Sequence, residues 1–233
     1  MARRVVIAID GPSGAGKSTI ARAVATRLGY IYIDTGAMYR AVGLWALRAN
    51  IPLDDMHKLE QLAAAARIEF RAGTSTVLLN GEDITAAIRE TAASDAASKA
   101  SAIPGVRRAM VDEQRRMAED WSVVMEGRDI GTVVFPNADV KIFLDADPAI
   151  RAQRRTTELR LRGTDVATET VAREMAERDQ RDRTRAEAPL MQAPDAIYLD
   201  SSGLTIDEVQ ESVLKLVRAK VSNGHPVIGG QSH

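Results

Sequence analysis

Glycines at positions 11, 14 and 16, followed at once by Lys17, Ser18 and Thr19, are the residues best placed to do chemistry in this 233-residue chain. They read G-x-x-x-x-G-K-S, after the apolar run Val5–Asp10 and before the helix-forming stretch Lys17–Leu28. Glycine tolerates positive φ and lets the backbone approach a ligand closely. Successive amides can then converge on phosphate oxygens, helped by the positive end of the following helix. A lysine in this place reaches β- and γ-phosphates, and the hydroxyl after it suits Mg2+. Gly11, Pro12, Ser13, Gly14, Ala15, Gly16, Lys17, Ser18 and Thr19 therefore form the candidate cradle for a nucleoside triphosphate, with Ser18 as a metal ligand and the Thr19 hydroxyl read as structural. Such a loop tells what is held, not what is done with it.

Three further clusters bear on what sits opposite. In "IDTGAMYRA" a hydroxyl, Thr35, and a guanidinium, Arg40, follow a strand-like run and could grip a second phosphate. They could equally be a helix cap and a surface charge. Asp34 could order water on a magnesium ion. In "MEGRDIGTVVFP" Gly127 lets the chain turn and Arg128-Asp129 project, either to a phosphate and to a base amine or ribose, or only to each other. From Arg151 to Arg185 arginine is dense, and most of it is expected on solvated helix faces. Arg178, Arg181 and Arg185 fall at spacings of three and four on one expected face, with Asp182 four after Arg178. Fixed cations converging on a transferring phosphoryl group are what phosphoryl transfer needs.

The elements that must position these groups alternate. Strands are predicted at Val5–Asp10, Tyr30–Asp34, Val123–Glu126, Val140–Asp145 and Ala196–Asp200. Helices are predicted at Lys17–Leu28, Ala37–Ala49, Val106–Asp120, Pro148–Arg162, Thr168–Arg185 and Thr205–Val221. The alternation predicts an α/β fold with a parallel sheet covered on both faces, and the acids closing the strands gather at its carboxyl edge. Residues 51–103 break the rhythm: two short strands, with turns at Ala72–Thr74 and Asn80–Gly81, lie between alanine-rich helices and read as an insertion. Trp45 and Trp121 are expected in or against the core, and Tyr39 is balanced between packing and ligand contact.

Composition narrows the classes. The hydrophobic fraction of 45% supports a large core. A net charge of −1 and 4% aromatics argue against nucleic acid as a partner. There is no cysteine, so disulfides, thiolate metal sites and cysteine nucleophiles are excluded, and a reducing cytoplasm fits. Only His57, His225 and His233 are present, which disfavours histidine chemistry, and no N-K-x-D sequence reads guanine. No apolar run approaches a membrane span. The N-terminus reads as a first strand rather than a signal peptide, and 222–233 as a flexible tail.

The segments "IDGPSGAGKST", "DTGAMYR", "EGRDIGTVVFPNADVKIFLDA" and "ERDQRDRTRAEAPL" resemble bacterial cytidylate kinase, over about Val5 to Val221. "SKASAIPGVR" resembles that family's base-reading region. The resemblance implies ATP + CMP (or dCMP) ⇌ ADP + CDP (or dCDP) with Mg2+, in a cytoplasmic monomer. It implies a P-loop three-layer α/β/α fold with a five-stranded parallel sheet as CORE. A monophosphate-binding insert with a small antiparallel sheet would span about 51–103, and a short LID about 151–165, within one domain of 1–221. It assigns Ser98, Arg107 and Asp129 to cytosine, and Arg178 and Asp182 to ribose. Arg40, Arg128 and Arg185 fall to the CMP phosphate, with Thr35, Tyr39 and Gly127 beside it. Lys17, Arg128, Arg178 and Arg185 become the catalytic set, Ser18 and Asp34 the metal set. Arg155, with Arg151 and Arg181, is assigned to the triphosphate from the LID side. One departure is that Ser18-Thr19 stands where some members carry glycine–threonine, and Ser18 strengthens the metal assignment. Another small P-loop kinase, acting on UMP, AMP or a small alcohol such as shikimate, is the alternative.

Overall fold

The computed structural model describes residues 3–71, 74 and 76–222. The expected turn residues Ala72 and Gly73 lie outside the described residues, as does the expected tail 222–233 apart from Ser222, which ends the last helix. Val- and Ile-rich runs become parallel strands because both faces can be covered by helices. These are β1 (Val6–Asp10), β2 (Ile31–Asp34), β6 (Val123–Gly127), β7 (Val140–Asp145) and β8 (Ile197–Asp200), in the order β2-β6-β1-β7-β8. Register aligns Asp34 with Glu126, Asp10 with Gly127 and Phe143, and Asp145 with Asp200. The acids that close the strands therefore stand along one edge, where parallel sheets bind ligands.

Helix α1 (Lys17–Leu28) and α8 (Ile206–Ser222) cover one face through Ile20, Val24, Val213, Leu214 and Val217. The other face meets α2 (Thr35–Arg48) and α5 (Pro104–Met117) through Met38, Val42, Val106 and Met110. Between β2 and β6 lies the predicted insertion: α3 (Met56–Ala65), a small sheet and α4 (Thr91–Ala100). The alanines of α4 lie so close to α2 that a Cβ on Gly43 would stand 2.8 Å from the Ala97 amide nitrogen. Helices α6 (Pro148–Leu161) and α7 (Thr168–Thr184) form a hairpin with its own apolar contact of Ala152, Val171 and Met175.

The small sheet has three strands rather than two: β3 (Ile68–Phe70), β4 (Val77–Leu79) and β5 (Glu82–Asp83). Asn80 and Gly81 both take positive φ, 51° and 85°, so the chain reverses in two residues and Glu82 pairs with Leu79. Helix α2 begins at Thr35, two residues before expectation, because the Asp34 carboxylate caps it by accepting from the Ala37 amide at 2.8 Å. Thr35 is therefore not the cap. Trp121 is not packed but 61% exposed, in a polar loop after α5, while Trp45 packs on the core. A π turn at Ile130–Val134, closed by the Phe135 amide on the Ile130 carbonyl at 2.7 Å, follows β6 without a sequence signal.

Candidate active site

The loop between β1 and α1 is set by steric necessity. A Cβ on Gly11 (φ +148°) would lie 1.9 Å from the Leu144 carbonyl oxygen, so only glycine lets the loop leave β1 beside β7. A Cβ on Gly14 (φ +75°) would lie 2.8 Å from Met175 Cε and 3.0 Å from the Arg151 carbonyl oxygen. The loop's tip is thus seated against the α6–α7 hairpin. Pro12 and Ala15 are buried around it, Ser13 and Gly16 partly so, and Ser18 and Thr19 are exposed at the first turn of α1. The buried Lys17 ammonium donates to the Pro12 carbonyl at 2.7 Å. Burial first, then Arg128, pushes its pKa down to about 7. A polyphosphate in the loop supplies the counter-charge that favours its protonated form.

Across the carboxyl edge the arginines and acids interlock. Arg107, on α5, donates to the Asp129 carboxylate and lies over the Tyr39 ring at 5.7 Å. Arg185 Nη2 stands 3.6 Å from the other Asp129 oxygen, within ion-pair range but beyond a hydrogen bond, while its Nε donates to the Ala188 carbonyl at 2.6 Å. Arg128 Nε donates to Asp182 Oδ2 at 2.9 Å. Burial opposes the Arg128 charge, yet Asp182 and then Glu126 hold its pKa above the ordinary value. Burial likewise opposes the Asp182 carboxylate, but Arg128 and Arg178 keep its pKa below the usual range. For Arg178 the cover falls short: burial, then Arg128, outweighs Asp182 and brings its pKa down to about 10. Ser98 on α4 joins through the backbone, its carbonyl accepting from Ser101 Oγ at 3.0 Å, while Ser101's carbonyl accepts from Arg107 at 3.4 Å.

Six buried side-chain polar atoms have no hydrogen-bond partner among the described residues, and four of them belong to Ser98, Arg40, Arg178 and Arg185. Leaving a buried polar atom unpaired is costly, so such atoms clustered at one edge are suited to a polar ligand.

Several sequence expectations are redrawn by geometry. Asp34, expected at the metal, spends one oxygen on the α2 cap and the other on Arg40 at 2.9 Å. The acid facing the loop is instead Glu126, buried at the end of β6, accepting from the Tyr32 hydroxyl at 2.5 Å. Burial, then Asp34, pushes its pKa up, against Lys17, Ser18 and Tyr32. The Thr35 hydroxyl donates to the Glu126 carbonyl at 2.7 Å and so ties α2 to β6. Gly127 is equally confined, since a Cβ there would meet Thr35 Oγ1 at 2.7 Å. Arg151 is engaged within the protein: its guanidinium donates to the carbonyls of Ser13 and Ala146, each at 3.0 Å, and to Asp179 at 2.6 Å. Arg155 pairs with Glu158 at 2.8 Å on its own helix. Arg181 is exposed, whereas Arg178 and Asp182 turn inward, so the expected common face holds for those two and not for Arg181.

Sequence reasoning missed Asp10 and Glu126 as parts of the site, and named Arg151 only as a group for the triphosphate. The signal for the first two was present, since each ends a predicted strand at the carboxyl edge. The structural ties of Arg151 had no signal, because the partners, Ser13 and Asp179, lie far from it in sequence.

An oxygen-only donor set of Ser18 and Glu126 beside a phosphate cradle fits Mg2+, which keeps water and phosphate oxygens among its ligands and needs few from protein. Among the described residues no group of three or more His, Cys, Asp or Glu could hold a metal by itself.

A parallel sheet with a glycine-lined phosphate loop at its central strand, faced by buried guanidinium groups, defines a P-loop α/β fold of the phosphotransferase type. Solved structures agree on the fold. An uncharacterised protein from Eubacterium ventriosum superposes with TM-score 0.53 at 13% identity, over 93% of this chain and 99% of that one. A gluconokinase from Sinorhizobium meliloti gives 0.50 at 16%, over 95% and 97%. The family described as cytidylate kinase matches residues 7–219. A cytidylate kinase of Solibacter usitatus is 62% identical over 95% of this chain and 96% of its own. One of Syntrophotalea carbinolica is 49% identical over 93% of each. The chain belongs to the cytidylate kinase family.

Proposed function

We propose that the chain transfers the γ-phosphoryl group of ATP to CMP or dCMP by direct in-line displacement. The observation that carries this reading is the set of unpartnered buried polar atoms on Ser98, Arg40, Arg178 and Arg185, together with an Asp129 flanked by Arg107 and Arg185. A carboxylate can accept from cytosine's exocyclic amine, whereas uracil has a carbonyl there and is repelled. Arg107 donates to the ring carbonyl. Asp182 accepts from a ribose hydroxyl, with Arg178 beside it. Arg40, Arg128 and Arg185 clasp the acceptor phosphate, with Thr35, Tyr39 and Gly127 shaping the wall.

The acceptor oxygen is already anionic, so no strong general base is needed. Lys17, Arg128, Arg178 and Arg185 balance charge that spreads over the moving group. Mg2+, held through Ser18 and Glu126, supplies further charge compensation at the phosphates when bound. Residues 51–103 form the monophosphate-binding insert and the region about 151–165 the lid, whose closure excludes water. The moving part of the lid begins beyond Thr156, the last buried residue of α6. Arg155 lies on the fixed side of that boundary and reaches the triphosphate by releasing Glu158, which moves. A monomer is the working unit that the family resemblance implies. No described helix is long and apolar enough to cross a membrane, and a cytoplasmic site of action fits both the cysteine-free sequence and ATP as donor.

The test is ADP release from purified protein given ATP, Mg2+ and, in turn, CMP, dCMP, UMP, AMP and shikimate. Fast turnover is expected for CMP and dCMP alone. UMP, AMP or shikimate outrunning CMP would overturn the reading.

A further inference from the structure

We propose that Asp10 is a positioning residue for acceptor recognition: its carboxylate fixes the turn that presents Arg128 and Asp129 to the monophosphate. This rests on the reading that Asp129 meets the acceptor base.

Asp10 is the last residue of β1, only 5% exposed, and Gly11 of the phosphate loop follows it. Its side chain does not turn toward that loop. Oδ1 accepts from the Ile130 amide at 2.8 Å and Oδ2 from the Gly131 amide at 2.7 Å. These are the two amides directly after Asp129, at the start of the π turn, where a helix-like turn leaves donors without partners inside the turn. One carboxylate satisfies both. Charge-assisted bonds of this kind are the strong ones, and here they pin the turn from the neighbouring strand. The fit is close, since a Cβ on Gly131 would lie 3.1 Å from Lys141 Cδ and 3.3 Å from Asp10 Oδ2. Asp129 itself adopts φ −149°, ψ 24°, outside helix and strand, so the next residues must hold it there.

An ionised carboxylate can accept from both amides, whereas a protonated one carries a hydrogen that must face one of them. Burial raises the Asp10 pKa to about 6; the facing charges are Asp129, which raises it, and Lys17, which lowers it, with Lys141 across Gly131. Acceptor binding should therefore weaken with protonation of a residue that touches no substrate.

The experiment uses wild type, Asp10→Asn and Asp129→Ala with ATP and CMP. Asn places an N–H against one amide without changing size. The expected result is a CMP KM raised about tenfold to a hundredfold in Asp10→Asn, with the ATP KM changed less than about twofold. Equal changes in both KM values, or none, would overturn the proposal. Wild type failing to use CMP, or Asp129→Ala using it normally, would instead overturn the reading beneath it. Should Asp10→Asn not fold, wild type carries the test through its backbone amide resonances. Those of Ile130 and Gly131 should titrate together between about pH 5 and 7 in the free protein; amides static over that range would overturn the proposal.

Discussion

Arg151 and Asp179 form a buried ion pair at 2.6 Å whose guanidinium also holds the Ser13 carbonyl of the phosphate loop at 3.0 Å. Asp179 is adjacent to Arg178, so one pair ties the donor loop to the helix that carries acceptor-side groups. Breaking a buried pair by removing one partner costs about 3–5 kcal/mol, because the other charge is left desolvated. Arg151→Ala should lose about that much stability in urea unfolding and raise the KM for ATP. Arg151→Lys should recover only part of both, since an ammonium lacks the fork that spans carbonyl and carboxylate.

Lys17 and Arg185 should act on rate rather than on fold. Neither side chain supports the sheet, Arg185 caps α7 only through its backbone amide, which a substitution retains, and both side chains sit among charges that the proposed transfer would use. Lys17→Met and Arg185→Ala are each expected to lower kcat by about a hundredfold or more. Their circular dichroism should match wild type. Near-normal turnover in both would reject charge stabilisation by these groups.

The sheet was legible in the sequence because each core strand is an apolar run ended by an acid or glycine, and parallel strands buried on both faces carry no competing pattern. The glycine-rich turn was legible because sterics leave so few alternatives at Gly11 and Gly14. Contacts set by distant partners were not legible. Asp34 shows why: an acid after a strand reads the same whether it faces an ion or caps a helix, and the bonds to Ala37 and Arg40 appear only in the fold. The Arg181 expectation failed for a related reason. Spacing of three and of four both satisfy a helical face, and the packing of Val171, Met175, Asp179 and Asp182 chose the arc that leaves Arg181 outside.

The same contrast between Asp34 and Glu126 can be measured. Asp34→Ala removes an N-cap and should cost about 1 kcal/mol of stability, with little change in the Mg2+ concentration needed for half-maximal rate. Glu126→Gln should raise that Mg2+ requirement several-fold, because the neutral amide orders metal-bound water less well. The reverse pattern would return the metal role to Asp34.

Asp10 separates stability from activity by the sign of its pH dependence. Its carboxyl is raised from 3.8 to about 6 in the folded chain, chiefly by burial. The fold thus favours the protonated form: the associated stability is full below pH 3.8 and is lost as pH rises through about 6. Integrated over that interval it amounts to about 3 kcal/mol. Asp10→Asn is uncharged throughout. Its stability relative to wild type should therefore improve by about that amount between acid and mildly alkaline buffer, as read from paired urea titrations. Affinity for CMP should move the opposite way in wild type, strengthening over the pH interval in which Asp10 costs the fold stability. A carboxylate that only supported the fold would give the same stability difference with no accompanying change in CMP affinity, and a flat stability difference between the two proteins would mean that burial does not shift the carboxyl.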